Sequence, residues 1–139
     1  MRLKYLLDTN VVSEPIRPNP NGNVLAELKK HRHEIAIPAV VWHELLFGRE
    51  RLPPSAKRDA LDRYLQQVIA VALPILPYDE DAAMWHAAER SRLTTIGKTP
   101  AFADAQIAAI ANANDLILVT HNTRDFADFQ GLNLADWHK

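Results

Sequence analysis

Three acidic residues in this chain stand where a solvated surface is a poor explanation for them. Asp8 ends the short apolar run Leu6-Leu7. Glu44 has Val40, Val41, Phe47 and Gly48 as its neighbours at helical spacing, and Asp104 is followed by Ile107, Ala108 and Ala111 on one helical face. A carboxylate on an apolar face must be protonated, paired with a cation or bound to a metal. A fourth candidate group is Thr120-His121-Asn122-Thr123-Arg124-Asp125, just after the apolar run Leu116 to Val119. Plainer readings exist for each acid. Asp8 suits a helix cap, Glu44 a buried ion pair with Arg49 or Arg90, and Asp125 a cap for a turn from Phe126 to Phe129. Acids on two separate helices and at a strand end, however, would repel one another unless a cation compensates. Oxygen-only ligands of this kind suit Mg2+ or Mn2+, and the matching chemistry is hydrolysis of a phosphodiester. Thr9 and Asn10 are polar neighbours able to orient the first carboxylate or its water.

The elements that must position these groups follow from apolar spacing and punctuation. Arg2 to Leu7 reads as a buried strand, which places Asp8 at a strand's carboxyl end, a favoured place for ligands in open α/β sheets. Three prolines and a glycine exclude regular structure from Pro15 to Gly22. Val24 to His31 reads as a short helix, Ile35 to Ile37 as a strand stopped by Pro38, and Ala39 to Arg51 as a helix carrying Glu44. After Pro53-Pro54, Ser55 caps a helix with the stripe Ala60, Leu61, Tyr64, Leu65, Val68 and Ile69. Leu73 to Leu76 is a strand candidate, and Glu80 to Ile96 a helix between Asp79 as cap and Gly97. Thr99 and Pro100 read as the cap and first position of a helix reaching Asn114, with Asp104 about one turn inside it. Leu116 to Val119 is the clearest strand, and Leu132 to Leu134 a last edge strand. Strands separated by helices imply a mostly parallel sheet covered on both faces, in one domain spanning residues 1–139.

Composition narrows the function. With 139 residues and no cysteine, disulfides, thiolate zinc sites and cysteine nucleophiles are excluded together. No run approaches the ~18 apolar residues of a membrane span, and no signal-peptide pattern precedes the first strand, so the expected setting is cytoplasmic without membrane association. Sixteen Lys+Arg against 17 Asp+Glu argue against a general nucleic-acid coat, yet permit an enzyme acting on nucleic acid at one metal site. His43-Glu44 lacks a second histidine at zincin spacing, because Phe47 stands there. His31 and His33 read as a solvated helix end, His121 as a surface group, and Trp42 and Trp85 as core or interface residues.

The segments Leu6-Leu7-Asp8-Thr9-Asn10, Pro38 to Leu45, Ala103 to Ala111 and Leu118 to Phe126 resemble, in order, the four motifs of PIN-domain proteins, with the VapC/FitB toxins of type II toxin–antitoxin pairs as the most similar branch. The resemblance implies a three-layer α/β/α sandwich, Mg2+- or Mn2+-dependent endoribonuclease activity, a homodimer and a small DNA-binding antitoxin as partner. It assigns Asp8, Glu44 and Asp104 to the three most regular family acids. Asp8 and Asp104 are then the metal ligands, Glu44 assists directly or through water, and Thr120 and Asn122 position water or the metal's shell. The fourth acidic position falls on Asn122, an amide that binds a divalent cation less well than a carboxylate, with Asp125 three residues on. Arg90, Arg92, Lys98 and Arg124 are candidates to meet RNA phosphate.

Two rival readings stand beside this one. Another Mg2+-dependent phosphoryl hydrolase would explain an early aspartate, but the dehalogenase-like phosphatases want a second Asp where Asn10 stands. A catalytically weak or inactive interaction module of the same fold would use the acids for ion pairs.

Overall fold

The computed structural model describes residues 2–139. Strand β1 (Tyr5–Leu7) lies at the centre of a five-stranded sheet, with Leu6 and Leu7 both fully buried. Consecutive residues of a strand point to opposite faces, so the sheet is covered on both sides. Its order is β3 (Ile75–Leu76), β2 (Ile35–Pro38), β1, β4 (Ile117–Val119), β5 (Leu134–Ala135), and all pairings are parallel. The chain builds outward from β1 through β2 to β3 and then returns to lay β4 on the opposite side of β1. That reversal opens a crevice beyond the carboxyl ends of β1 and β4, the place where open α/β sheets bind ligands.

The helices are α1 (Thr9–Val12), α2 (Gly22–Lys30), α3 (Ala39–Arg51), α4 (Ala56–Tyr64), α5 (Ala70–Ala72), α6 (Glu80–Thr95), α7 (Phe102–Ala113) and α8 (Thr123–Phe126). A 3-10 turn, Glu14–Ile16, follows α1, and a π turn, Leu65–Ile69, joins α4 to α5. Helix α7 crosses β2 and β4 with α6 and α3 beside it. Its residues Ala108, Ala109, Ile110 and Ala111 are fully buried, and the small side chains let its backbone lie close to its neighbours. Leu7, Leu28 of α2, Ile35, and Tyr64 and Ile69 of the α4–α5 segment line one apolar groove. The α/β/α layering and parallel sheet expected above are therefore present.

Several punctuation signals act as read. Ser55 Oγ accepts from the Arg58 N–H at 3.1 Å, and Asp79 Oδ1 from the Ala82 N–H at 3.0 Å, each satisfying an amide the helix start leaves free. Gly97 follows α6 at φ +78°, where a side chain would be strained. Others differ. Helix α2 starts at Gly22, because Asn21 Oδ1 accepts from the Asn23 and Val24 N–H groups. Strands β1 and β5 are displaced or shortened relative to Arg2–Leu7 and Leu132–Leu134. The stripe after Ser55 is interrupted by the π turn, which buries Leu65 and Ile69 and leaves Val68 exposed. Thr99 is not a cap: Ala101 is still extended at ψ 137°, its carbonyl accepts the first helical bond from Ala105, and α7 begins at Phe102. Proline biases the residue before it away from helix, and the turn into α7 is completed only after Ala101. His31 is not a solvated group either. Its ring stacks on Trp137 at 5.5 Å and lies between Glu27, at 3.2 Å, and Glu34, at 2.8 Å.

Phe126 is among the largest fully buried side chains, whereas Val71 is 79% exposed. Urea denaturation should show Phe126→Ala losing about 3–5 kcal/mol of stability and Val71→Ala changing by less than about 0.5 kcal/mol. A small loss at Phe126 would mean that the α8 turn does not seal the core.

Candidate metal centre at the sheet switch point

Parallel pairing in the register Leu6 to Leu118 and Leu7 to Val119 delivers Asp8 and Thr120 side by side as the two strands end. The Asp8 N–H donates to Val119 O at 2.9 Å, which keeps the alignment one residue beyond the ladder. Thr120 is fully buried, and its hydroxyl donates to Asp8 Oδ2 at 2.8 Å while accepting from the Asn122 N–H at 3.0 Å. Asp8 Oδ1 accepts from the Thr9 N–H at 2.8 Å. Asp8 thus caps α1 and also faces the crevice. Asn10 ties α1 to the same loop, since its Oδ1 accepts from the His121 N–H at 3.1 Å.

Burial pushes the Asp8 carboxyl above its ordinary range, against the hydrogen bonds from Thr120 and Thr9, and the charges of Asp125 and Glu44 add to the rise. Asp104 is pushed up to about 6, first by burial and then by the charges of Asp8, Asp125 and Glu44. The charges that act on Asp8 and Asp104 thus come from separate segments, with Glu44 on α3 and Asp125 on α8. Asp104 is the third residue of α7, within its first turn rather than a full turn inside.

The remaining expected residues fall into distinct places. Glu44 is exposed, contrary to the reading of its neighbours as a buried face. Helix α3 buries only Val41 and Leu45, and Phe47 is itself 51% exposed with Arg51 over its ring at 5.0 Å. The ion pairs considered for Glu44 are not formed. Arg49 joins Glu50 and Asp62, while Arg90 lies over the Phe102 ring at 5.4 Å. Asp125 does not cap a turn from Phe126, because it lies inside α8, and its N–H donates to the Asn122 carbonyl. Asn122 is exposed at the start of α8, and its side chain makes no capping bond. Arg124, Asp104, Asp125, Lys98 and Asp128 line an open cleft of ≈ 500 Å³. Arg92 is committed elsewhere. Its Nε and Nη2 donate to the Glu89 carboxylate at 2.8 and 2.9 Å, and Nη2 also donates to Asp128 O at 2.7 Å. Sequence reading missed Asp128 as a wall of the cleft, and nothing in the exposed, polar run around it singles it out.

An all-oxygen group in which burial and neighbouring charges raise Asp8 and Asp104 fits a hard divalent cation, which would remove the repulsion. Asp8 and Asp104 present the most perturbed carboxylates to the crevice, with Glu44 and Asp125 around them.

The raised carboxyls set a pH dependence. A group whose folded pKa exceeds its unfolded value near 3.8 binds more protons when folded, so the contribution of Asp104 to stability falls as pH rises from about 4 to about 6 and is then level. In chelator at pH 7, Asp104→Asn should stabilise the protein by about 1–2 kcal/mol, a figure discounted for partial solvation of the carboxylate, and the gain should vanish near pH 4. An equal gain at both pH values would show that the effect is not ionisation.

A PIN domain model matches residues 5–132. The chain is 40% identical over 136 residues to Toxin FitB of Neisseria gonorrhoeae (strain ATCC 700825 / FA 1090), covering 96% of this chain and 98% of that protein. It is 33% identical over 134 residues to VapC ribonuclease Y4jK of Sinorhizobium fredii (strain NBRC 101917 / NGR234), covering 94% and 95%. Among solved structures, FitAB bound to an IR36 DNA fragment contains a chain that matches with a TM-score of 0.88 and 33% identity, covering 97% of this chain and 96% of that one. Fold and similarity over nearly the whole length agree: the chain belongs to the PIN domain family.

Proposed function

We propose that this chain is a divalent-metal-dependent endoribonuclease that serves as the toxin of a type II toxin–antitoxin pair. The observation carrying the reading is the convergence of Asp8, Asp104, Glu44 and Asp125 on the crevice at the sheet's reversal, with Asp8 and Asp104 raised by burial and by the other acids. Relatives named as a toxin and as a ribonuclease, matched over nearly their full lengths, support the same activity.

Asp8 and Asp104 would hold the ion, Mg2+ or Mn2+ by donor type. When bound, it supplies a lowered pKa for attacking water and neutralises charge developing on the phosphodiester. The protein's own groups do the rest. Thr120 and the Thr9 N–H fix the Asp8 carboxylate, so its lone pairs point at one place. Glu44, exposed at the rim, is free to accept a proton from water entering the crevice. Asp125 supplies the fourth carboxylate that Asn122 lacks, and Asn122 offers an amide at the mouth to orient water. Arg124, on the cleft wall, and Arg90, at the neighbouring surface, would neutralise RNA phosphates; Arg92 would hold the wall rather than touch substrate.

The partner is a small DNA-binding antitoxin, by likeness to the FitAB complex on DNA, and a homodimer is the proposed working unit. The setting is cytoplasmic. No helix among the described residues is long and apolar enough to cross a membrane.

With labelled structured RNA and partner-free protein, cleavage should require Mg2+ or Mn2+ and stop with chelator. Asp8→Asn and Asp104→Asn should each lower the rate at least about 100-fold while the protein remains folded, and Asp125→Asn should cost more than Asn122→Ala. Undiminished cleavage by both aspartate variants would remove the assignment.

A further inference from the structure

A second cluster lies outside the acidic crevice, where the loop after β4 meets the residues that follow β5. His138 is a buried ring, its side chain 10% exposed, and its Nε2 lies 3.0 Å from Glu14 Oε1. Glu14 is itself buried, and its Oε2 accepts from the Asn21 N–H at 3.0 Å. That backbone bond, together with His138 and Arg17, holds the Glu14 carboxyl below its ordinary range in spite of burial. An ionised carboxylate only accepts, so the Nε2 atom of His138 is the donor in this contact. Nδ1 is buried and has no hydrogen-bond partner. It faces Asp136 Oδ1 at 3.7 Å, with Asp136 only 9% exposed at its side chain. Asp136 Oδ1 already accepts from the His138 backbone N–H at 2.9 Å, and its gap to Nδ1 is too long for a hydrogen bond. A third donor atom completes the group: His121 Nδ1 is 3.4 Å from Asp136, and its ring lies 4.3 Å from that of His138.

We infer that His121, Asp136 and His138 form a transition-metal site of the zinc class, separate from the magnesium-type acidic centre. Their three ligand atoms lie within 4.8 Å of one another. Bonds of about 2.0–2.1 Å in a tetrahedral zinc site put neighbouring ligand atoms about 3.3 Å apart, so two of the three separations are already close to that value. Two imidazoles and a carboxylate select zinc, nickel, cobalt or copper over magnesium. The Glu14 carboxylate behind His138 is the outer partner that orients a ligating imidazole and fixes its tautomer. The ion's remaining position opens to solvent beside His121, whose side chain is 55% exposed. Such an ion would tie together the turn after α1, the loop carrying Thr120 and Asn122, and the segment after β5.

The test uses untagged protein in saturating Mg2+, so that the oxygen site is filled. Calorimetry with Zn2+ should find one saturable site, and Co2+ should give the visible absorption of a tetrahedral complex. His121→Ala, a change at an exposed side chain that leaves the core intact, should weaken Zn2+ binding at least about 10-fold, and His138→Gln at least as much. Asp104→Asn should leave Zn2+ binding unchanged. The inference is overturned by absence of a saturable site, by equal affinity in His121→Ala, or by loss of Zn2+ binding in Asp104→Asn. Nitrogen-15 shifts showing both His138 ring nitrogens protonated with Zn2+ present would also overturn it, since a proton would then occupy the gap.

Discussion

Thr120 has no exposed surface, so its hydroxyl hydrogen must be satisfied inside the protein, and Asp8 Oδ2 at 2.8 Å is where it goes. That bond exists only because β1 and β4 pair in parallel and end together. Both strands are too short to tolerate slippage, and a shift of one residue would exchange Leu6 and Leu7 between the sheet's faces. The apolar pairing that builds the centre of the sheet therefore also aims the carboxylate. Helix α1, capped by the other oxygen of Asp8, inherits the same dependence.

The acids of the crevice are held against their own preferences. Hydrogen bonds from Thr120 and Thr9 favour ionised Asp8, whereas burial and the charges of Asp125 and Glu44 oppose it, and burial dominates. The fold tolerates this because its stability is gathered elsewhere, in the fully buried residues Leu6, Leu7, Ile37, Leu118 and Ile110. Alanines along α7 contribute less transfer energy than larger residues would, but they let Asp104 approach the ends of the strands. A more stable protein could be made by filling or neutralising the crevice, at the expense of the arrangement that handles a cation.

Much of this was legible in the residues. Asp8 at a strand end, Asp104 on an alanine face, and the caps Ser55 and Asp79 are local signals whose physics stays local, and the order of strands and helices implied a parallel sheet. Long-range and solvent-dependent features were not legible. Glu44 has apolar neighbours at helical spacing, but spacing does not say which of them face water, and Phe47 turns outward. The start of α7 was misplaced because Thr99-Pro100 satisfies a cap pattern while the backbone completes its turn two residues later. His31 and His138 each gain a partner from a residue distant in sequence. Glu27 and Glu34 flank His31 locally, but Trp137, which stacks on it, and Glu14, which meets His138, lie outside any local window.

The Arg92 clamp has a mechanical meaning. One guanidinium and the carboxylate of Glu89, both projecting from α6, hold the backbone at Asp128 O and, through Glu89 Oε2 at 3.0 Å, at the Gln130 N–H. The stretch between α8 and β5 is irregular, and segments of that kind ordinarily open on their own, well below the free energy of global unfolding. Fastened at two points to a long helix that packs along α7, this one is coupled to the cooperative unit of the sheet and its covering helices. The wall of the cleft that holds Asp128 therefore behaves as a stiff jaw rather than a lid, and in amide exchange it belongs with the core rather than with the loops.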